Sequence, residues 1–510
     1  MEFNLERQTI TINETVFQAS VEQPIECDAL LPDYCPDIVK VLKCAATTHL
    51  DTGLVNGARL TIEGLAVIHV YYSTEQNQIR HAEYKIPFAR QVELRAAPDK
   101  PVVSITPRVD YVNCRAVNQR RIDVRGAISF SVKVIDQKEQ QFISNATGAG
   151  LQLRREMVKA TDIIGQSRAT FPVTEELELG YGKAQIGSVI RSEQKVRVLE
   201  HKVVSGKVVV KGELMLHILY QPLEQEGMLE TMEYTLPLSQ IIDSEQTSED
   251  CLCDTQMTVV SCEISPKAGE DGQFRMFGLE ASIGASLTAH RHTEIPVAGD
   301  CYSTKFEAES GRAPISFIRL VDIIGEIVSH KVTLDLPEGV ENLLDAWSDI
   351  ESMNWRQEEN SLLIDLKMNV CLFARMENNE CFYFEHPTEL SHKISLGEEG
   401  GEFQFEPTAD LFSSSYSLIG KEKIEMRCEA VVRGCVYLGV RREAILDIKI
   451  DAEKTKVKEQ NKMYIYYADP GERVWDIAKN YNTAMSAIWE ENNIETDELE
   501  EKRMLLIPIV

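Results

Sequence analysis

Short runs of alternating apolar and polar residues dominate the first 450 positions. Leu60-Thr-Ile-Glu63 and Ile122-Asp-Val-Arg-Gly-Ala-Ile-Ser-Phe-Ser-Val-Lys-Val134 place apolar side chains at every second position. A period of two is the mark of a strand with one buried face. Val, Ile, Tyr and Thr fill these runs, each about five to eight residues long. Turn signals such as Asn56-Gly57 and Gly269-Glu-Asp-Gly272 separate them. The pattern predicts antiparallel, sandwich-like domains. One departure recurs. Ile38, Val41 and Leu42 keep i, i+3, i+4 spacing, as do Ile186, Val189 and Ile190, and Val340, Leu343 and Leu344. That spacing predicts a short amphipathic helical turn at each place.

These recurrences belong to a longer repeat. Arg59–Tyr72 aligns without a gap on Lys207–Tyr220 at an offset of 148, matching Gly64 with Gly212, His69 with His217 and Tyr72 with Tyr220. A weaker third copy runs from Ser361 to Phe373 at an offset of 302. Glu83-Tyr84 with Pro87 recurs as Glu233-Tyr234 with Pro237, and as Tyr383-Phe384 with Pro387. Cys114 falls on Cys262, and Asp162-Ile-Ile-Gly165 is echoed by Asp322-Ile-Ile-Gly325. The expected organisation is three β-rich units, 1–150, 151–312 and 313–451, the third the most diverged.

From Ala452 to Lys462 the chain turns polar, with four lysines and two glutamates, and 452–462 reads as a linker. Residues 463–510 form a different pattern. A strand, Tyr464 to Tyr467, leads into a Pro470-Gly471 turn. Val474, Trp475, Ile477, Ala478 and Tyr481 then mark one apolar helix face. A second helix is expected from Thr483, as N-cap, to Glu491, with Met485, Ile488 and Trp489 facing inward. Met504-Leu-Leu-Ile-Pro-Ile-Val510 reads as a strand that pairs with the first. Tyr467, Trp475, Ile477, Tyr481, Ile488 and Ile507 are the expected core of this βααβ module.

Composition narrows the function. The chain has 510 residues, 43% of them hydrophobic, enough for several cores, and a formal charge of −28. So acidic a chain is unsuited to gripping nucleic acid, and no partner of that class is expected. No run of about 18 apolar residues occurs, so no membrane insertion is expected. The opening Met-Glu-Phe-Asn-Leu-Glu-Arg-Gln has no basic and apolar signal pattern, which predicts a cytoplasmic location. In that compartment the twelve cysteines read as small buried hydrophobes, the close pair Cys251 and Cys253 included.

No catalytic constellation stands out, so no enzyme activity, cofactor or metal is expected. There is no Gly-x-x-x-x-Gly-Lys-Ser/Thr loop, Gly-x-Ser-x-Gly elbow or His-Glu-x-x-His helix. His290 and His292 flank Arg291 and read as a solvated pair. His69 and His217 share a repeat position that holds Cys371 in the third unit, the pattern of a partly buried structural histidine.

The residues of 463–510 resemble the LysM family. Tyr467, Pro470-Gly471, Val474-Trp-Asp-Ile-Ala478, Tyr481, Ile488 to Asn492 and Leu505-Leu-Ile-Pro508 match its pattern. The resemblance implies a βααβ fold and a groove that holds N-acetylglucosamine chains, here formed by Pro470, Gly471, Glu472, Arg473, Val474, Lys502, Arg503 and Met504. The sequence departs from the family at Glu472-Arg473, where Asp-Thr is usual, and at Lys502-Arg503, where Gly-Gln is usual. The module carries ten acidic and four basic residues, which favours a protein over carboxylate-bearing peptidoglycan as its partner.

Cys27-Asp-Ala-Leu-Leu-Pro-Asp-Tyr-Cys-Pro-Asp-Ile-Val-Lys-Val41 resembles the opening of the SPOCS domain, formerly DUF3794, found in spore-coat proteins. The expected class is therefore mainly β: three tandem SPOCS-like domains followed by a small LysM module. This resemblance implies a scaffold in the mother-cell cytosol, at the forespore surface and in the spore coat. Its LysM module would bind a coat-base protein of the stage IV sporulation protein A type, alongside other coat proteins. The alternative is a peptidoglycan- or chitin-type glycan-binding protein of the spore cortex or cell wall.

Overall fold

The computed structural model describes every residue except 1–2, 225–226, 398–400, 421, 457–461 and 510. The chain is mainly β and builds one arrangement three times. The first unit comprises β1 (Phe3–Leu30), β2 (Lys40–Asn56), β3 (Arg59–Ser73), β4 (Ile79–Glu93), β5 (Pro101–Asn118) and β6 (Arg121–Gly148). The second comprises β7 (Leu151–Glu178), β8 (Ile186–Val204), β9 (Lys207–Pro222), β10 (Glu230–Asp243), β11 (Leu252–Lys267) and β12 (Met276–Ser303). The third comprises β13 (Phe306–Asp335), β14 (Val340–Glu358), β15 (Ser361–Met376), β16 (Cys381–Ser395), β17 (Phe403–Phe405), β18 (Thr408–Ile419) and β19 (Lys423–Thr455). The second boundary thus falls at the β12–β13 connection, whereas the expected break at 312/313 lies inside β13.

Each unit is a sandwich of two antiparallel sheets. In the first, β1-β6-β5 faces β2-β3-β4; in the second, β7-β12-β11 faces β8-β9-β10. The third pairs β14-β15-β16 with a sheet in which β19 holds β13, β17 and β18. The alternation read from the sequence sets the inner faces: Leu60, Ile62, Ala66 and Ile68 of β3 meet Ile122, Val124, Ile128 and Phe130 of β6. In β3, β9 and β15 the alternation gives way to nearly continuous burial toward the C-terminal end. There the second face is covered as well, because the three units meet. Tyr71, Leu219 and Phe373, equivalent in the repeat, share one cluster with Leu42, Ile190 and Leu344.

Those last three residues replace the expected helical turns. Residues 40–56, 186–204 and 340–358 are strands, and Leu42, Ile190 and Leu344 are extra residues at register shifts opposite β3, β9 and β15. A bulge turns two consecutive side chains to one side, which imitates the i, i+3, i+4 signal.

The first and last strands of each unit are far longer than the expected runs. β1, β6, β7 and β12 have 28 residues each, β13 has 30 and β19 has 33. Prolines and glycines inside them, such as Pro24 and Gly126, are absorbed without ending the pairing. Beyond the sandwiches these strands continue as two-stranded ribbons that pack together. Phe142, Ile295 and Phe317, one from each unit, share a cluster there.

Register corrects the third repeat. Tyr84 pairs with Ile68 and Tyr234 with Leu216, but the residue opposite Val370 is His386. The Tyr383-Phe384 and Pro387 match was therefore two residues out of step, a slip that keeps each side chain on its face. Cys44 and Cys114 are also not separate thiols: their sulfurs are joined across the first sandwich, with Cα atoms 5.9 Å apart. Cys251 and Cys253 lie in the core of the second. His290 is not solvated. It is fully buried with Nε2 2.9 Å from the Tyr437 hydroxyl, while His292 is exposed.

The expected linker begins inside β19, whose last residue is Thr455, and its part at 457–461 lies outside the described residues. Among the described residues no helix is long and apolar enough to cross a membrane.

Candidate functional site

The C-terminal module consists of β20 (Met463–Ala468), α1 (Val474–Asn480), α2 (Met485–Asn492) and β21 (Arg503–Pro508). β20 and β21 pair antiparallel, Met463 opposite Pro508 and Ala468 opposite Arg503. Trp475, Ile477, Ile488 and Ile507 are buried core residues, and Tyr481 packs at their margin. Tyr467 is not a core residue: it is 66% exposed, while the neighbouring Ala468 is fully buried. The two-residue period of the strand gives the inward place to Tyr466, whose ring meets Tyr481. Thr483 does not cap α2, which starts two residues later. Its hydroxyl instead donates to the Pro508 carbonyl at 2.6 Å.

The turn before α1 is tied to the segment before β21. Gly471, at φ +88°, donates its N–H to the Leu499 carbonyl, and the Leu499 N–H returns to Glu472. The positive φ is a conformation glycine adopts without a Cβ penalty. Val474, expected in the groove, is buried in the core, with its N–H on the Asp497 carbonyl. The Asp497 carboxylate accepts the Trp475 N–H at 2.9 Å, which satisfies a free donor of the first helical turn. Glu472 is committed locally, accepting from the Tyr466 hydroxyl and the Asp469 N–H, each at 2.8 Å.

Pro470, Gly471 and Arg473 are exposed. Lys502 reaches Asp469 at 3.1 Å, Arg503 donates to the Asn492 carbonyl at the end of α2, and Met504 is exposed opposite Tyr467. The expected groove residues do not converge on one cleft: 471–472 bond to Leu499, while Lys502 and Arg503 meet Asp469 and Ala468, and the cleft beside them, about 530 Å³, shares only Gly471 with the expected set. Gly471, Thr496, Glu498, Leu499 and Glu500 line it. The sequence offered one cue to this segment: Leu499 is the single apolar residue in an otherwise charged run.

The module is not merely tethered. Asp300 at the end of β12 accepts the Trp475 indole N–H at 2.8 Å and the Lys479 ammonium at 2.9 Å, and it also bonds Arg312 of β13. Tyr302 packs edge-on against Trp475, and its hydroxyl donates to the Thr483 carbonyl at 2.7 Å. Lys456 bonds Asn482. Burial is the largest influence on the Asp300 carboxyl and raises its pKa. Hydrogen bonds from Lys479 and Trp475, with the charges of Lys479 and Arg312, outweigh it and hold the group below the usual carboxylate range. None of these body residues was expected at a site, because a contact across 175 residues leaves no local pattern.

The docked module presents an apolar outer sheet face. Met463, Ile465, Tyr467 and Met504 are 50–66% exposed there. The alternation that buries Leu505 and Ile507 on the other face leaves this one uncovered.

Two families match the chain. The family described as SipL, SPOCS domain matches residues 37–117 and 185–267, which span β2 to β5 and β8 to β11. The family described as LysM domain matches residues 466–508. Neither a curated protein nor a solved structure matches the chain. The SPOCS segments are the second to fifth strands of the first two units, and the third unit repeats their layout without a matched segment. With a SPOCS segment in each of two units and a LysM domain at its end, the chain is similar in make-up to a SipL-like protein.

Proposed function

We propose that this protein is a non-enzymatic scaffold of sporulation that links the spore coat to the forespore surface. Its LysM domain binds a coat-base protein of the stage IV sporulation protein A type, in the mother-cell cytosol. The observation that carries this reading is the exposed apolar face formed by Met463, Ile465, Tyr467 and Met504. An uncovered apolar patch on a docked module marks a protein-binding surface. Charge supports the same reading. Glu498 and Glu500 line the cleft, so an acidic glycan entering it meets like charge. Ten cysteines remain free thiols, as suits a reducing compartment, with the Cys44–Cys114 pair the exception.

The test is binding of the purified full chain to the coat-base protein. Ile465→Glu and Tyr467→Glu, both at exposed positions, are expected to weaken binding at least tenfold with an unchanged melting temperature. If Arg473→Glu weakens it and the two sheet-face variants do not, the contact lies in the cleft loop. Isothermal titration with chito-oligosaccharides addresses the glycan reading, which the match to the LysM domain supports. Saturable heat there, with no affinity for the coat-base protein, contradicts the scaffold reading.

A further inference from the structure

The first sandwich holds a group of side chains that the LysM domain and the junctions do not use. His69 of β3 stands opposite Glu83 of β4, and His81 stands opposite Tyr71. Residues 69 and 71 share a sheet face, so His69, His81 and Glu83 converge although twelve residues separate the histidines. His69 Nδ1 is 3.0 Å from His81 Nε2 and 3.9 Å from a Glu83 oxygen. One ligand atom from each residue lies within 4.8 Å of the others.

We propose that His69, His81 and Glu83 bind one divalent cation of the zinc type. Two imidazoles and one carboxylate form a recognised three-ligand set for zinc, with metal–nitrogen distances of about 2.0–2.1 Å. Two nitrogens on one tetrahedral ion then stand about 3.3 Å apart, close to the spacing in this site. The carboxylate of Glu83 is 40% exposed; one oxygen faces His69 and the other lies 3.4 Å from Lys85, an exposed pair that a bound cation would replace. The rings are held in place. Tyr71 stacks on His81 at 5.1 Å, and His69 Nε2 faces the Thr47 hydroxyl at 3.5 Å. Such neighbours orient metal ligands.

The repeat provides an internal comparison. By register the same three places hold His217, Thr231 and Glu233 in the second unit, and Cys371, Tyr383 and Glu385 in the third. In the third unit the cation is the protein's own: Lys43 reaches Glu385 at 2.6 Å. In the second, His217 turns toward Asp345 at 3.8 Å. Among the described residues the complete ligand set occurs in the first unit alone.

The test uses the full chain, stripped with a chelator and titrated with Zn²⁺ alone by calorimetry and with Co²⁺ alone by visible absorption. One saturable site with tetrahedral Co²⁺ bands is expected. His81→Ala should weaken it at least a hundredfold. Glu83→Gln, at an exposed position that leaves folding intact, should weaken it about tenfold to a hundredfold. Cys251→Ser with Cys253→Ser should leave it unchanged. No saturable binding overturns the proposal and leaves only a histidine–histidine hydrogen bond. Unchanged binding in Glu83→Gln and in His69→Ala, or loss in the double cysteine variant, overturns it as well.

Discussion

Asp300 shows what a single side chain can hold. One carboxylate, 16% exposed, receives an indole N–H and an ammonium from the LysM domain and a guanidinium from the body. A hydrogen bond to a charged group contributes about 1.5–3 kcal/mol. Asp300→Ala should therefore loosen the docked domain by about that amount while leaving the LysM core folded. Acid should act in the same direction. The folded pKa lies below the usual 3.8, so the stabilisation is complete above that value and is lost as pH falls through the lowered one. The ¹⁹F resonance of fluorotryptophan at position 475 reports both effects. A resonance that moves neither in Asp300→Ala nor below pH 4 contradicts this account. At this scale the sequence was informative where side chains follow a local period, as with Trp475, Ile477 and Ile488. It misled where one strand position decides the face, as at Tyr467, and it was silent on Asp300 and on His81, whose partners arrive through register.

The bulges show how an element can diverge and keep its fold. In β2 the last extra residue is Asp51, opposite Gly64; in β8 it is Leu199, opposite Gly212. A Cβ on Gly64 would sit 2.3 Å from the His49 carbonyl oxygen, and one on Gly212 2.4 Å from that of Arg197. Backbone cannot yield as a side chain can, so Gly64→Ala and Gly212→Ala should each destabilise their sandwich by about 1–3 kcal/mol. The third unit has Leu366 at the corresponding place. There the bulge, at Glu351, lies opposite Lys367 and Met368, and Leu366 pairs regularly with Met353. Two residues fewer between the bulges of β14 remove the need for glycine. Thermal unfolding should show losses for both glycine variants and almost none for Leu366→Met. A neutral Gly64→Ala contradicts the role assigned to the bulge. The repeat was legible in the apolar alternation of β3, β9 and β15. The bulges were not, because an inserted residue imitates a helical period.

At the scale of the molecule, three sandwiches close around a junction that contains charge. Arg191 Nε is 2.9 Å from Asp345, with both side chains buried, and its guanidinium lies 4.2 Å from the centre of the Trp347 ring. Lys43, Arg191 and Asp345 occupy the same repeat position, one after each bulge, so divergence has made these equivalent sites complementary. Removing one member of a buried pair leaves an unpaired charge and costs about 3–5 kcal/mol. Arg191→Ala should lower the melting midpoint of the three-unit body, and Arg191→Met combined with Asp345→Leu should recover much of the loss. A midpoint unaffected by Arg191→Ala contradicts this. None of it could be read from the sequence, where Arg191 and Asp345 are two charges among many.

On the proposed function, the three-unit body holds the LysM domain through Asp300 and Tyr302 and leaves its apolar sheet face outward. The most direct measurement of that claim is the position of a fluorescent fusion of the full chain in sporulating cells. The intact protein should collect around the forespore, and Ile465→Glu with Tyr467→Glu should leave it diffuse in the mother cell at equal abundance. Undiminished forespore localisation of the double variant would contradict the account.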